Sequence, residues 1–324
     1  MLLKRVETNV IALALMPSFL LCTRLALAQA DTKSAIVTER VAGELKAIES
    51  AAARHATDGE LGKLWEQLAS DYQYEMDFPR AEAAYDNALK LLHGSVAARG
   101  DYATALDSLG ALYLLTGRMT ESENCRRKAL AIFNEEGDRK NVDMLHENLA
   151  VILLEEGKYK DSEKEASKAI EGLLGQARPD STHLISTLIA RGYARCHQRR
   201  CKEGLSDVQR AVDVVQSFMR PNLLAAAGTW RALGYMEWKT GDLVSADEKM
   251  RRALQILSEN TDLPYPVLVS ARIGALRQYQ EFLNETHHKA EARHLEDEMA
   301  RFTNAQTPVC RNCTVNVEGL SNAR

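Results

Sequence analysis

The chain has 324 residues, and its 44 Ala and 42 Leu stand against 7 Pro and an aromatic share of 6%. That is a helix-former's composition, and it excludes collagen-like and disordered classes. A hydrophobic share of 45% suffices for a core, while a net charge of −4 and a pI near 6.1 give no electrostatic footprint for nucleic acid. Length alone fits about two ordinary domains, or one elongated array whose elements stack.

Residues 1–30 differ from the rest. Lys4 and Arg5 form a short basic region, and Val10 to Cys22 is an almost uncharged apolar run interrupted by Pro17. This order predicts a secretory signal, with small residues for cleavage after Ala28 or Ala30, the latter favoured. Glu7 and Arg24 depart from the pattern and leave an uncleaved anchor as the alternative. The apolar run is nevertheless shorter than the ~20 residues a spanning helix needs. Leu21 stands where a lipoprotein signal requires a small residue before Cys22. The chain is therefore expected to be exported, periplasmic or secreted.

Within residues 31–59, an apolar-periodic stretch from about Ile36 to Ala56 reads as a lone capping helix. From there a repeat takes over. Trp65, Leu68, Ala69 and Tyr72 share one helical face, and Ala81, Tyr85 and Ala88 repeat that geometry after a turn around Asp77 to Pro79. The pattern returns as Leu106, Leu109, Gly110, Tyr113, Gly117, Ser122 and Ala129, then as His146, Leu149, Ala150, Leu153, Gly157, Ser162 and Ala169. Further copies run through Leu188, Gly192, Gly204 and Ala211; Trp230, Leu233, Gly234, Gly241, Ala246 and Ala253; and Leu276, Tyr279, Leu283, Ala292 and Met299.

The alanine late in the second helix recurs at 88, 129, 169, 211 and 253, in steps of 40 to 42 residues. Small residues belong there because closely crossing helices leave no room for larger ones. Gly117, Gly157 and Gly241 fall at the turns inside three of the hairpins, where positive φ is wanted. Pro179, Pro221, Pro264 and Pro266 mark the loops between hairpins. The prediction is an all-α solenoid of about six hairpins, near 60–93, 102–135, 143–175, 184–217, 226–259 and 272–303, followed by a flexible tail over 304–324. Each hairpin bares an apolar face that only its neighbours cover, and burying one side chain such as Trp230 or Leu233 is worth ~1.5–3 kcal/mol.

These residues resemble the tetratricopeptide repeat family. The Leu109-Gly110-Ala111-Leu112-Tyr113 and Arg251-Arg252-Ala253-Leu254 phrases and the 42-residue period look most like its kinesin-light-chain-type subclass. Arg126, Arg191 and Arg195 depart from the pattern by standing where aromatic or aliphatic residues are expected. The resemblance implies a right-handed superhelix whose concave groove, lined by the first helix of each hairpin, binds a protein or peptide without catalysis.

Helical spacing gives the lining. One column runs Glu66, Asp107, Glu147, Ile189, Arg231 and Arg277, with Asn148 beside it; Tyr193, Tyr235 and Trp238 stand further along their helices. The groove is thus expected to be acidic at its N-terminal end and basic and aromatic at its C-terminal end. A partner's basic end would then meet Glu66, Asp107 and Glu147, and its acidic end Arg231 and Arg277. The Lys, Asn and Arg clamp of chaperone-binding relatives is not present as a set, so chaperone docking is not expected.

Cys196 and Cys201 flank the turn of the fourth hairpin and could be bridged, as could Cys310 and Cys313 in the tail. One CxxC cannot fill a four-ligand zinc site. His287, Glu291 and His294 share a helical face but read as a polar cap rather than a metal site. No Gly-rich phosphate loop, nucleophile elbow or HExxH is present. Neither cofactor nor catalytic residue is therefore expected. The alternatives are an intracellular regulator, if the N-terminus is not a cleaved signal, or a thiol-redox or hydrolytic protein.

Overall fold

The structure, a computed structural model, describes residues 39–176, 181–218, 222–259 and 265–304. The expected signal, Pro179, Pro221, Pro264, Cys310, Cys313 and the tail after Asn304 lie outside the described residues. Among the described residues the regular elements are all helical. No described helix is long and apolar enough to cross a membrane.

The chain divides into two compact units, Met1–Ser95 and Val96–Arg324. The first holds helix α1 over 39–53, α2 (Asp58–Tyr74) and α3 (Phe78–Leu92). Thr57 caps α2 by accepting the amide of Glu60, and Asp77 caps α3, with Pro79 in the first turn where its missing N–H costs nothing. Ala69 and Ala81 are fully buried within this hairpin, and Tyr85, 1% exposed, donates to Gln73 Oε1 at 3.0 Å. Arg40 of α1 pairs with the buried Asp71 of α2.

The second unit opens with a short 3-10 turn (Val96–Ala98) and runs through five hairpins. These are α4 (Arg99–Leu115) with α5 (Met119–Glu136), α6 (Arg139–Glu155) with α7 (Tyr159–Leu174), α8 (Ser181–His197) with α9 (Cys201–Gln216), α10 (Leu223–Thr240) with α11 (Leu243–Glu259), and α12 (Tyr265–Glu285) with α13 (Lys289–Asn304). Each helix packs on its hairpin partner and on the helix that follows, and α6, α8, α10 and α12 also touch in series. This is the stacked architecture of an α-solenoid. Helix α12 starts at Tyr265, ahead of the expected 272, and takes Pro266 into its first turn instead of leaving it in the loop.

Small residues twelve apart sit where the two helices of a hairpin cross. Ser122 Oγ donates to the carbonyl of Gly110, and Ser162 Oγ to that of Ala150, each at 2.6 Å. In the next hairpin Gly192 and Gly204 face each other so closely that a Cβ on Gly204 would lie 2.5 Å from the Gly192 oxygen. A Cβ on Gly234 would lie 3.0 Å from the oxygen of Ala246. Ala88, Ala129, Ala169, Ala211 and Ala253 are all fully buried.

The turn inside each hairpin places one residue in the left-handed region: Met76, Gly117, Gly157, Arg199, Gly241 and His287, with φ between 63° and 97°. Gly117, Gly157 and Gly241 stand where they were expected, and the other three turns hold Met76, Arg199 and His287. The backbone geometry is kept while the residue best suited to it is not.

The two kinds of glycine should respond differently to alanine. Gly117 has open space around its Cβ position, so Gly117→Ala should cost only the left-handed penalty, about 1 kcal/mol. Gly204→Ala must push backbone apart and should cost more than about 2 kcal/mol. Urea unfolding of both variants checks the difference; equal losses would contradict the close crossing.

Candidate functional site

The acidic half of the expected groove is occupied by the protein itself. Asp107 Oδ1 accepts from Arg126 Nε at 3.0 Å and from Asn148 Nδ2 at 3.3 Å. The same Arg126, only 2% exposed, also donates to the Asn148 carbonyl at 3.4 Å. Glu147 is 1% exposed, 2.7 Å from His183 Nδ1, and accepts from Ser186 Oγ. Asp107 therefore joins α4, α5 and α6, and Glu147 joins α6 to α8. Neither presents a free carboxylate to a ligand, which departs from the exposed acidic row read from spacing. Glu66 is half-buried on α2 of the first unit.

The departures from the repeat pattern explain one another. Arg191 reaches Asp207 through Nε at 3.0 Å and a terminal nitrogen at 2.7 Å, and Arg195 meets the same carboxylate at 2.8 Å. Arg195 also donates to Glu163 at 2.9 Å, where Arg200 and Gln198 converge at 2.8 and 2.9 Å. Asp207 is 3% exposed. Two arginines at apolar positions are tolerated because α9 and α7 supply their counter-charges; an unpaired charge there would cost several kcal/mol.

In the C-terminal half of the inner face, helices α6, α8, α10 and α12 bring together Glu155, Ile189, Tyr193, Arg231, Tyr235 and Gln278. The Tyr193 hydroxyl donates to Gln278 Oε1 at 3.2 Å, and Gln278 Nε2 donates to the Arg231 carbonyl at 3.4 Å. Arg277 is exposed and Arg231 half-exposed. Glu155 is exposed to solvent, yet burial raises its pKa against the opposing pull of Arg231. Burial likewise raises Tyr193 and, with neighbouring Tyr193, pushes Tyr235 up to about 12.

Rings continue across this face. Tyr193 and Tyr235 lie 4.9 Å apart, Tyr235 meets Trp238 edge-on at 5.7 Å, and Trp238 meets Phe282 edge-on at 5.7 Å. The Lys239 ammonium sits 3.3 Å from the Trp238 ring centre. Trp238 is only 7% exposed, so it forms floor beneath Tyr235 rather than a projecting anchor. At the edge, Tyr159 and His197 stack at 4.4 Å. Sequence spacing did not single out Glu155, Tyr159, His197, Gln278 or Phe282; Tyr159 and His197 flank hairpin turns, outside the columns that helical periodicity generates.

Cys196 and Cys201 are joined by a disulfide across the α8–α9 turn. His287 occupies the left-handed turn before α13, and Glu291 is held by Arg251 at 2.6 Å. Among the described residues no group of three metal-ligating side chains is assembled.

The tetratricopeptide repeat model matches residues 60–135 and 101–174. Three solved structures share the fold. BtubC (BKLC) from P. vanneervenii is 24% identical, with a TM-score of 0.59 over 71% of this chain and 94% of that one. A kinesin light chain-like repeat protein from Podosopora anserina is 12% identical, with a TM-score of 0.53 over 62% and 96%. A Rap protein solved in complex with competence and sporulation factor is 15% identical, with a TM-score of 0.55 over 76% of each chain. No curated protein matches the chain. Residues 60–174 match the tetratricopeptide repeat model, and the later hairpins continue the same stacked-hairpin fold.

The polar layer carries a pH signature. Burial works to raise Glu165, but His146 at 2.7 Å and Lys168 at 3.1 Å outweigh it and hold its pKa at about 2. A carboxylate depressed on folding stabilises above its unfolded value, near 4.5, and that contribution is lost as pH falls toward 2. The stability difference between wild type and Glu165→Gln should shrink by up to about 3 kcal/mol over this window. Urea titrations at stepped pH measure it; a constant difference would contradict the pairing.

Proposed function

We propose that the chain is an exported, non-catalytic scaffold that holds an extended peptide or protein segment along α6, α8, α10 and α12. The observation that carries this reading is the cluster of half-buried Tyr193, Arg231, Tyr235 and Gln278 across α8, α10 and α12, with Arg277 exposed next to Gln278 in sequence. Because Asp107 and Glu147 are spent on internal contacts, the partner's carboxylate end is assigned to Arg231 and Arg277, with Tyr193 and Tyr235 beneath its apolar side chains. The Rap protein solved in complex with competence and sporulation factor supports the reading at the level of fold. Export rests on the basic and apolar order of residues 1–30.

Both halves can be tested on purified material. A peptide display library panned on the full chain should yield binders whose affinity falls roughly tenfold or more in an Arg231→Glu/Arg277→Glu variant, about 1.4 kcal/mol. Unchanged affinity for every binder would refute the assigned face. Intact mass of protein from the secreted or periplasmic fraction should place the N-terminus at Gln29 or Asp31; a retained Met1 would refute processing.

A further inference from the structure

The fourth hairpin is built unlike its neighbours at its turn. Other turns of the second unit that hold glycine have it at φ values of 75° to 97°; this one forces Arg199 into the left-handed region at 65° and closes the turn with the Cys196–Cys201 bridge. The two sulfurs are not equivalent. Cys196 is 6% exposed in the last turn of α8, packed in a cluster with Val208, Val212 and Met236. Cys201 is half-exposed and is the first residue of α9, at the positive end of a sixteen-residue helix.

Cations crowd the same segment, Arg195-Cys196-His197-Gln198-Arg199-Arg200-Cys201-Lys202. Arg195 and Arg200 are shared with Glu163, Asp207 and Glu203, whereas Arg199 and Lys202 are exposed. A helix N-terminus and flanking cations favour thiolate over thiol. The same turn also carries the contacts of α8 and its following loop to α7: His197 stacked on Tyr159, Gln198 on the Tyr159 carbonyl and Glu163, and Arg195 and Arg200 on Glu163.

We propose that Cys196–Cys201 is an exchangeable disulfide, opened by a dithiol reductant that attacks the accessible sulfur of Cys201, and that its redox state sets the rigidity of the α8–α9 turn. The reductant's thiolate forms a bond to Cys201 Sγ as the Cys196–Cys201 bond breaks, and Cys196 leaves as a thiolate that takes up a proton. The reductant's second thiol, losing its proton, then displaces Cys201. The products are two protein thiols and one reductant disulfide, a two-electron transfer. Once open, the turn loses its covalent closure between the end of α8 and the start of α9, and the contacts to α7 loosen with it. The inference does not depend on what the inner face binds.

Cys125 is an internal control, because burial pushes its thiol pKa up. The native full-length chain is treated with dithiothreitol at neutral pH without denaturant, then pulsed with iodoacetamide and peptide-mapped, so that each cysteine is read separately. The bridge should open, and Cys201 should be alkylated roughly tenfold faster than Cys125 or Cys196. Lys202→Gln should slow Cys201 alkylation. Hydrogen exchange over residues 195–203 should accelerate on reduction in wild type and show no response to dithiothreitol in Cys196→Ser/Cys201→Ser. A bridge that is absent in the oxidised chain, or that resists dithiol until the chain is denatured, overturns the proposal, as does a Cys125 rate equal to that of Cys201. Should the double variant fail to fold, the wild-type alkylation rates decide alone.

Discussion

Where the two helices of a hairpin cross, their backbones come close enough that one helix's carbonyl becomes a neighbour of the other's Cα. Ser122 and Ser162 use this proximity to donate across at 2.6 Å, and Gly192 and Gly204 leave no space for any side chain. The rest follows from that closeness. Large residues displaced from the crossing must pack on either side of it, toward the next hairpin, so each hairpin is completed by its neighbour. Ile170 and Leu173 of α7, Leu188 of α8 and Ala211 and Val215 of α9 consequently share one continuous core with Leu224 of α10.

Charge is distributed by the same logic. Positions between hairpins tolerate ionised groups only where a neighbouring helix neutralises them, as Asp107 does for Arg126 and Asp207 does for Arg191 and Arg195. These pairs join the two helices of one hairpin, α4 to α5 and α8 to α9, and hold them in register, which apolar contact alone does little to specify. On α10 and α12 the corresponding column carries Arg231 and Arg277, half-exposed and exposed. The inner face of the second unit therefore divides into a consumed half and a half that carries Arg231 and Arg277, and the division falls where α8 meets α10.

Periodicity made the hairpins, their order and the crossing alanines readable in advance, because burial at a helix crossing allows few residue types. It did not distinguish an acidic residue facing solvent from one facing an adjacent helix: Asp107, Glu147 and Arg231 occupy the same column, and only the neighbouring hairpin's side chains decide which is covered. Trp238 was legible as aromatic but not as floor, since its burial depends on Phe282 two helices away. Met76, Arg199 and His287 show the converse, a backbone geometry set by the fold and only partly reflected in residue choice. The bridge at Cys196 and Cys201 could be anticipated from spacing; the asymmetry between its two sulfurs needed the helix boundaries.

The account stands on the claim that similar positions on successive helices serve different ends, structure in one half and recognition in the other. Urea unfolding of Glu147→Ala and Arg277→Ala, measured side by side on the full chain, tests this most directly. Glu147→Ala removes the buried acceptor that ties α6 to His183 and Ser186 of α8 and should cost about 2 kcal/mol or more, whereas Arg277→Ala should stay within about 0.5 kcal/mol of wild type. Comparable losses in the two variants, or a larger loss at Arg277, would contradict it.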